Sequence, residues 1–149
     1  MKNIRVQPDD FDPGVEIAQL GAQAGAVVSF TGLVRADNFG DRLISMTLEH
    51  FPGMTERELE RIANEARARW KLLGVTIVHR YGELKPGEKI VLVVTAAAHR
   101  RAAFEAAEYL MDYLKTSAPF WKRELRQSGE YWIEARSSDD DAAARWSKG

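Results

Sequence analysis

Hydrophobic and polar residues alternate along Gly25–Arg35 and Leu43–His50, and this period predicts β-strands. Strands are also predicted over Ile4–Val6, Val75–Tyr81, Lys89–Ala96, Trp121–Arg126 and Tyr131–Arg136. The polar loop Ala36–Arg42 separates Gly25–Arg35 from Leu43–His50, so we expect those two strands to pair as a hairpin. The last two strands are expected to form another hairpin across residues 127–130.

Other stretches repeat their apolar residues at helical spacing. The dipeptide Asp12-Pro13 is typical of the N-cap and first position of a helix, which we expect to reach about Gln23. A longer helix is predicted over Thr55–Trp70, where Thr55 and Glu58 match the pattern of a capping box.

The second long helix is predicted over Arg100–Thr116 and is stopped by Pro119. Its apolar face consists of Ala103, Phe104, Ala107, Leu110, Met111 and Leu114. Several strand connections are too short for parallel crossovers. The fold class predicted is therefore α+β, a single domain over residues 1–149 with a mostly antiparallel sheet and two long helices. An acidic tail, about 137–149, follows the last strand.

Composition excludes several classes of protein. The chain has 149 residues, of which 45% are hydrophobic and 29% charged, as in a soluble globular protein. It contains no apolar run near the roughly 20 residues that span a bilayer, and its first residues do not resemble a signal peptide, so we expect it in the cytoplasm. A net charge of −1 argues against nucleic acid and anionic membranes as partners.

The segment KTSAPFWKRE, residues 115–124, is the best candidate for chemistry. Lys122 and Glu124 lie on one face of a predicted strand, opposite Arg123, and Phe120 and Trp121 stand beside them. Lysines and a carboxylate within aromatic walls suit a flat heterocycle that carries an anionic group. The alternative is an ordinary solvated face, with Lys115 simply favoured by the dipole at a helix C-terminus.

A second basic group, His99-Arg100-Arg101, opens the second long helix. Cations there oppose the helix dipole unless an anion lies among them, so the pattern indicates a phosphate site. A solvated basic turn is the alternative.

Arg35 follows a predicted strand and suits a ligand clamp. The three histidines lack metal-ligand spacing, so we expect no metal site, and no cofactor is indicated.

Together these segments resemble the catalytic-subunit family of molybdopterin synthase. The matching stretches are GAVVSFTGLVR, TLEHFPGMTE, HRYGELKPGE, AHRRAAFEAAEYLMDYLKTSAPFWKRE and WIEARSSD, from Gly25 to about Asp139. The resemblance implies an α/β hammerhead-type fold. It also implies a heterotetramer, in which two large subunits form a central homodimer and each binds a small ubiquitin-like subunit.

In that family the small subunit carries sulfur as a thiocarboxylate on a C-terminal Gly-Gly. Its tail enters the large subunit's pocket, and two transfers turn cyclic pyranopterin monophosphate into molybdopterin, the dithiolene ligand of molybdenum. The chain has no cysteine, which agrees with sulfur arriving on a partner.

Carried over position by position, the resemblance implies a pocket of Arg35, His99, Arg100, Lys115, Lys122 and Glu124. Lys115 and Lys122 are the implied catalytic residues, and Glu124 is expected to orient a lysine. The implied walls and supports are Phe30, Met111, Arg123 and Arg136, with Arg123 also counted among the substrate-binding residues. Leu33 stands where the family often has a basic residue, so we expect only backbone contacts from Leu33 and Val34.

Helix length adds a constraint on this pocket. His99 and Lys115 are 16 residues apart on one predicted helix, so roughly 24 Å separates them at about 1.5 Å per residue. One small pterin does not reach both, which predicts a site shared between two copies of the chain. The competing interpretation is a non-enzymatic module that binds a phosphorylated metabolite or grips a ubiquitin-like partner.

Overall fold

The computed structural model describes residues 2–20, 22–36, 40–133 and 137–148, the last stretch without the side chains of 137–140 and 148. Its elements are β1 (Lys2–Gln7), α1 (Pro13–Ala18), β2 (Ala26–Leu33), β3 (Leu43–His50), α2 (Met54–Trp70), β4 (Gly74–Arg80), β5 (Gly82–Leu84), β6 (Lys89–Ala97), α3 (Arg100–Thr116), β7 (Phe120–Arg126), β8 (Gly129–Ile133), α4 (Ser137–Ala144) and a 3₁₀ turn (Arg145–Lys148).

The strands form two four-stranded sheets, ordered β1-β4-β6-β2 and β5-β3-β7-β8. Only the β1–β4 pair is parallel among the described pairings. With α2 and α3 each 17 residues long, this confirms the predicted α+β class with two long helices and mostly antiparallel strands. In the described ranges, no helix is both long and apolar enough to cross a membrane.

The predicted pairing of β2 with β3 is wrong. β2 pairs with β6 along its length, whereas β3 lies in the other sheet between β5 and β7. β3 buries Leu43, Met46 and Leu48 in a small core with Val34 and Leu84. Because these apolar side chains need cover that β2 does not supply, the chain changes sheets after Val34.

The hairpin of β7 and β8 is confirmed, with Arg126 paired to Gly129 at the turn. Gly129 has φ 143°, a backbone conformation that favours glycine. β8 ends at Ile133, and the last predicted strand positions, 134–136, lie outside the described residues.

The helix boundaries match the sequence pattern unevenly. Asp12 caps α1, since its carboxylate accepts from the backbone N–H of Gly14 at 2.9 Å, but the helix ends at Ala18 rather than near Gln23. There the chain tightens into a turn in which Leu20 N–H bonds to the carbonyl of Ile17, only three residues back, at 3.1 Å.

The predicted capping box of α2 is wrong. The N-cap is Gly53, and Glu56 accepts from its backbone N–H at 3.1 Å. Thr55 is buried, and its hydroxyl binds Phe51 and, at 3.3 Å, the carbonyl of Pro119. The threonine therefore joins the start of α2 to the loop before β7, an interaction that helix patterns do not reveal.

The main core lies between the first sheet and the pair α2 and α3. Leu59, Ile62, Ala63 and Ala66 of α2 meet Ala103, Ala106 and Leu110 of α3 and the strands beneath them. The bounds predicted for α3 are confirmed. Phe104, predicted to face the core, is instead 61% exposed.

Candidate active site

The N-terminal end of α3 presents two exposed basic residues. His99 is the N-cap, with extended backbone and no capping hydrogen bond from its side chain, and Arg100 follows it. Arg101 is neutralised by Glu105, whose carboxylate accepts from Nε at 2.9 Å. Within the described residues neither His99 nor Arg100 has an ion-pair partner. Both therefore remain available to an anion at the end of the helix that favours one.

β2 begins immediately beside this end of α3. The backbone N–H of Gly25 donates to the carbonyl of Ala97 at 3.0 Å. A Cβ atom at Gly25 would lie 2.2 Å from the carbonyl oxygen of Ala98, closer than any real contact. Only glycine permits this approach, which holds the turn into His99 against the start of β2.

At the C-terminal end of α3, Lys115 and Lys122 lie close to one buried histidine, His79 of β4. Lys115 is exposed in the last turn of α3, and Lys122 is half-buried on β7. Both lysine charges help to lower the pKa of His79. Within a single chain, the two predicted catalytic lysines therefore both lie within electrostatic range of His79.

His79 is held as a neutral imidazole. Burial is the main cause that lowers its pKa to about 3, and the charges of Lys122 and Lys115 contribute to that value. Its Nδ1 lies 2.8 Å from the carbonyl oxygen of Arg80. Because a carbonyl only accepts, Nδ1 carries the hydrogen and Nε2 is left with a lone pair. The ring stacks on Phe120, with centroids 3.6 Å apart.

The spacing of the histidines along the sequence bears only on metal binding and does not predict this role of His79. The available signal was that β4 is apolar on both faces, which predicts a strand buried on both sides. A histidine in such a strand is buried, so its protonation state depends on the groups around it.

The alternation of β7 divides the aromatic and basic residues that the sequence places side by side. Phe120 shares the face of Lys122, whereas Trp121 and Arg123 point to the opposite face. Trp121 contacts Phe51, and Arg123 binds Glu130 at 2.9 Å while its guanidinium lies over Trp132. Within one chain, Trp121 and Arg123 thus lie on the face of β7 opposite Lys122, and the role of Arg123 in binding the substrate stays a prediction.

Among the described side chains, Glu124 pairs with an arginine and not with a lysine as expected. Its Oε1 accepts hydrogen bonds from Nε and Nη2 of Arg126, at 3.0 and 2.7 Å. Both side chains are nearly buried, 12% and 10% exposed. The carboxylate therefore serves an arginine on the same strand.

The end of β2 presents Leu33 and Arg35 on either side of a buried Val34. Leu33 is 54% exposed and Val34 only 2%. The backbone N–H of Val34 donates to Glu88 and its carbonyl accepts from Gly87, both at 2.9 Å. Because both backbone groups of Val34 already have partners, its carbonyl oxygen can accept only one further hydrogen bond from a substrate, and its N–H can donate none. Arg35 is exposed and, among the described residues, has no ion-pair partner.

The remaining predicted supports lie in different places. Phe30 of β2 is 41% exposed, and Met111 of α3 is half-buried against the main core. Arg136 lies outside the described residues.

A concavity of about 510 Å³ lies elsewhere, lined by Asp10, Phe11, Asp12, Pro13 and Lys89. Its polar groups already have structural partners, since Asp12 caps α1 and Asp10 accepts from Lys89 at 3.3 Å. Within the described ranges, no group of three His, Asp or Glu side chains is arranged to hold a metal ion. The exposed cations around α3 therefore remain the best candidate site.

Comparison with known proteins agrees with this geometry. Residues 6–117 match the family model described as MoaE protein. The chain belongs to the MoaE family. Its relatives include proteins named molybdopterin synthase catalytic subunit from Escherichia coli K12 and Pseudomonas aeruginosa. The first is 54% identical over 145 residues, covering 96% of this chain and 97% of the relative; the second is 56% identical over 146 residues, covering 96% and 97%.

Solved structures of the MoaE family share the fold. The MoaE protein of Burkholderia ambifaria superposes with a TM-score of 0.84 at 50% identity, covering 99% of both chains. Molybdopterin synthase from Staphylococcus aureus gives 0.82 at 29% identity, covering 89% of this chain and 98% of that one. A complex of subunits 1 and 2 of molybdopterin-converting factor from Helicobacter pylori, at 20% identity and a TM-score of 0.72, supports the fold alone.

These matches confirm the resemblance drawn from the sequence and the fold class that it implied. They also confirm an enzymatic role as the sulfur-transferring catalytic subunit in molybdopterin synthesis.

Proposed function

We propose that this MoaE-family chain carries out its sulfur transfer in a pocket shared by two copies. The substrate is cyclic pyranopterin monophosphate, and the donor is the thiocarboxylated Gly-Gly tail of a small ubiquitin-like protein. One observation carries the proposal. The charges of Lys115 and Lys122 both act on the buried His79. His99 and Arg100, which have no ion-pair partner among the described residues, lie at the other end of α3, roughly 24 Å away.

The cyclic phosphate is bound by Arg35 with His99 and Arg100 of the second copy. All three side chains are exposed, and within the described residues none is neutralised by a carboxylate. Guanidinium groups match phosphate oxygens in charge and in geometry. The N-terminus of α3 adds backbone N–H groups that favour the same anion.

The two lysines serve the sulfur donor. The ammonium group of Lys115 stabilises the negative charge that develops on the thiocarboxylate, and Lys122 acts as a second acid or base. The neutral state of His79 adds no further positive charge beside them. The thiocarboxylate sulfur bonds to a pterin carbon and displaces an oxygen substituent from it, which leaves a thioester between the pterin and the partner's last glycine. Water then attacks the carbonyl carbon of that thioester, so the bond between this carbon and sulfur breaks, the partner's carboxylate is restored and the sulfur stays on the pterin.

The assembly we infer is a heterotetramer with a homodimer at its centre and one small subunit on each side, working in the cytoplasm. The helix-length constraint supports the homodimer. The absence of cysteine from the chain supports the external sulfur carrier. A net charge of −1 supports neither nucleic acid nor an anionic membrane as a partner.

The test is to mix the purified chain with the pterin precursor and the thiocarboxylated small protein and to detect the dithiolene product. The matched control is the same small protein with an ordinary carboxylate, which binds but carries no sulfur. Product formed only with the thiocarboxylate supports the proposal. Binding of both components without product would favour a non-enzymatic binding module.

A further inference from the structure

A hydrogen-bonded network joins the face of β7 that carries Lys122 to the segment that follows Arg35. It begins with the ion pair of Glu124 and Arg126, whose two bonds measure 2.7 and 3.0 Å. Burying such a pair has a large desolvation cost, and stability alone seldom favours it over apolar residues. Stability alone therefore does not explain the ion pair of Glu124 and Arg126, and the residues bonded to it indicate a further role.

The second step of the network leads from Arg126 to Asp41. Nη1 of Arg126 donates to the backbone carbonyl of Asp41 at 2.6 Å. The side chain of Asp41 accepts from the hydroxyl and the backbone N–H of Ser128, at 2.6 and 3.3 Å. The backbone N–H of Gln127 donates to the carbonyl of Arg42 at 3.1 Å. The β7–β8 turn thus holds both residues that precede β3.

The third step leads back to Arg35. The backbone N–H of Leu43, next to Arg42, donates to the carbonyl of Ala36 at 3.2 Å. On the other side of Arg35, both backbone groups of Val34 are bonded to the turn before β6. The exposed guanidinium of Arg35 therefore projects from a backbone that is anchored on both sides, and one anchor depends on β7.

We propose that Glu124 and Arg126 are positioning residues that fix Arg35 relative to Lys122, and that they do so through Asp41 without contacting the substrate. Lys122 is two residues from Glu124 on the same face of the same strand. The network thereby joins the residue assigned to the substrate phosphate and the residue assigned to the sulfur donor. The inference rests on the proposed function, in which Arg35 binds the phosphate.

A double-mutant cycle tests this coupling. Arg126→Met should raise the KM for the pterin roughly tenfold, about the effect of one lost charge-assisted hydrogen bond, with kcat near normal. Arg35→Ala should raise the KM at least as much. If Arg126 acts through Arg35, the double variant should resemble Arg35→Ala alone, because the coupled effects are not additive.

Arg5→Met is the matched control, since Arg5 lies on β1 of the other sheet and forms an ion pair with the buried Glu16 of α1. It should lower the melting temperature without changing the KM. Ser128→Ala removes one bond to Asp41 at an exposed position and serves if Arg126→Met fails to fold. Ser128→Ala should also raise the KM for the pterin, by a smaller factor than Arg126→Met.

Amide hydrogen exchange gives a readout independent of activity. Arg126→Met and Ser128→Ala should speed exchange at the Leu43 N–H, and Arg5→Met should not. Unchanged Leu43 exchange, or additive KM effects in the cycle, would overturn the positioning role and indicate that Glu124 touches the substrate. If Arg35→Ala leaves the KM unchanged while Leu43 exchange responds as expected, the network stands and the role of Arg35 in the proposed function fails.

Discussion

The imidazole ring of His79 stacks on the phenyl ring of Phe120, with centroids 3.6 Å apart and planes inclined by 17°. Phe120 lies two residues before Lys122 on the same face of β7, so the stack connects a strand of the first sheet to the lysine strand of the second. The stack fixes one ring face of His79, and the bond to Arg80 fixes its tautomer. The lysine site is thereby built beside a rigid, uncharged histidine.

Replacing His79 should change how stability depends on pH. The unfolded histidine titrates near pH 6.5, whereas the folded one has a pKa of about 3. Between these values the unfolded state binds more protons, so the free energy of unfolding falls as the pH drops from about 6.5 towards 3. One such group contributes at most about 1.4 kcal/mol per pH unit.

His79→Asn keeps a side-chain N–H for the carbonyl of Arg80 but has no titrating group. We expect it to reduce the pH dependence of the unfolding free energy across that window, measured by urea unfolding at several pH values. Ser117→Ala, at an exposed position without an ionisable side chain, should leave the dependence unchanged. An equal slope in His79→Asn and the unmodified chain would contradict the assigned neutral state.

Lys115→Ala should remove nearly all turnover, and Lys122→Ala should reduce it strongly. A lost acid–base or charge-stabilising group costs about 10²-fold or more in rate. Neither side chain belongs to the core, so the melting temperature should change little. Lys71→Ala, at the exposed end of α2, is the control and should retain full product formation. Near-normal product from Lys115→Ala would refute the assigned mechanism.

The shared site predicts complementation between two inactive chains. His99→Ala/Arg100→Ala and Lys115→Ala should each be inactive alone. In a mixed two-fold dimer one pocket combines the intact Lys115 with the intact His99 and Arg100, so an equal mixture should recover about a quarter of normal activity. Mass spectrometry of the mixture establishes that mixed dimers formed. Mixed dimers without activity would place the complete site within one chain.

The sequence predicts the helices and strands better than it predicts which of them lie side by side. Period-2 alternation correctly places β2 and β3, but it records only which residues face inward, not which strand lies alongside. The burial of Leu43 and Leu48 against Leu84 decides the sheet of β3, and that contact spans a long stretch of chain. Similarly, Thr55 looks like a cap because of its type and spacing, whereas tertiary contact with Pro119 determines its role.

In the candidate site too, the position of a residue along its element is predictable from the sequence, whereas its tertiary contacts are not. Residues at the ends of a strong helix, such as His99 and Lys115, have positions fixed by local periodicity, and the structure confirms where α3 places them. The neighbours of Glu124 depend on strand alternation and on a distant loop, so helical periodicity does not predict its bond to Arg126. The role of His79 depends on how deeply its ring is buried, and one polar residue in an apolar strand does not predict that depth.

The proposed partner makes a final prediction about its tail. A chain without cysteine needs a carrier to bring sulfur to Lys115, and a thin extended tail fits beside Phe120 only if its last residues lack bulky side chains. Glycine allows that close approach of backbone. Deleting the partner's two terminal glycines should leave its globular contact partly intact in a pull-down but abolish sulfur transfer in the product assay.

Replacing only the last glycine by a bulky residue, with the carboxylate activated in the same way, separates fit from chemistry. This variant should still bind through its globular surface and still carry sulfur, yet form almost no product, because the thiocarboxylate stops short of Lys115. A partner variant with an equally bulky residue well before the tail is the control and should remain active. Full product from the bulky-tailed partner would show that no narrow groove leads to the lysines, and the assigned route of the sulfur would fail.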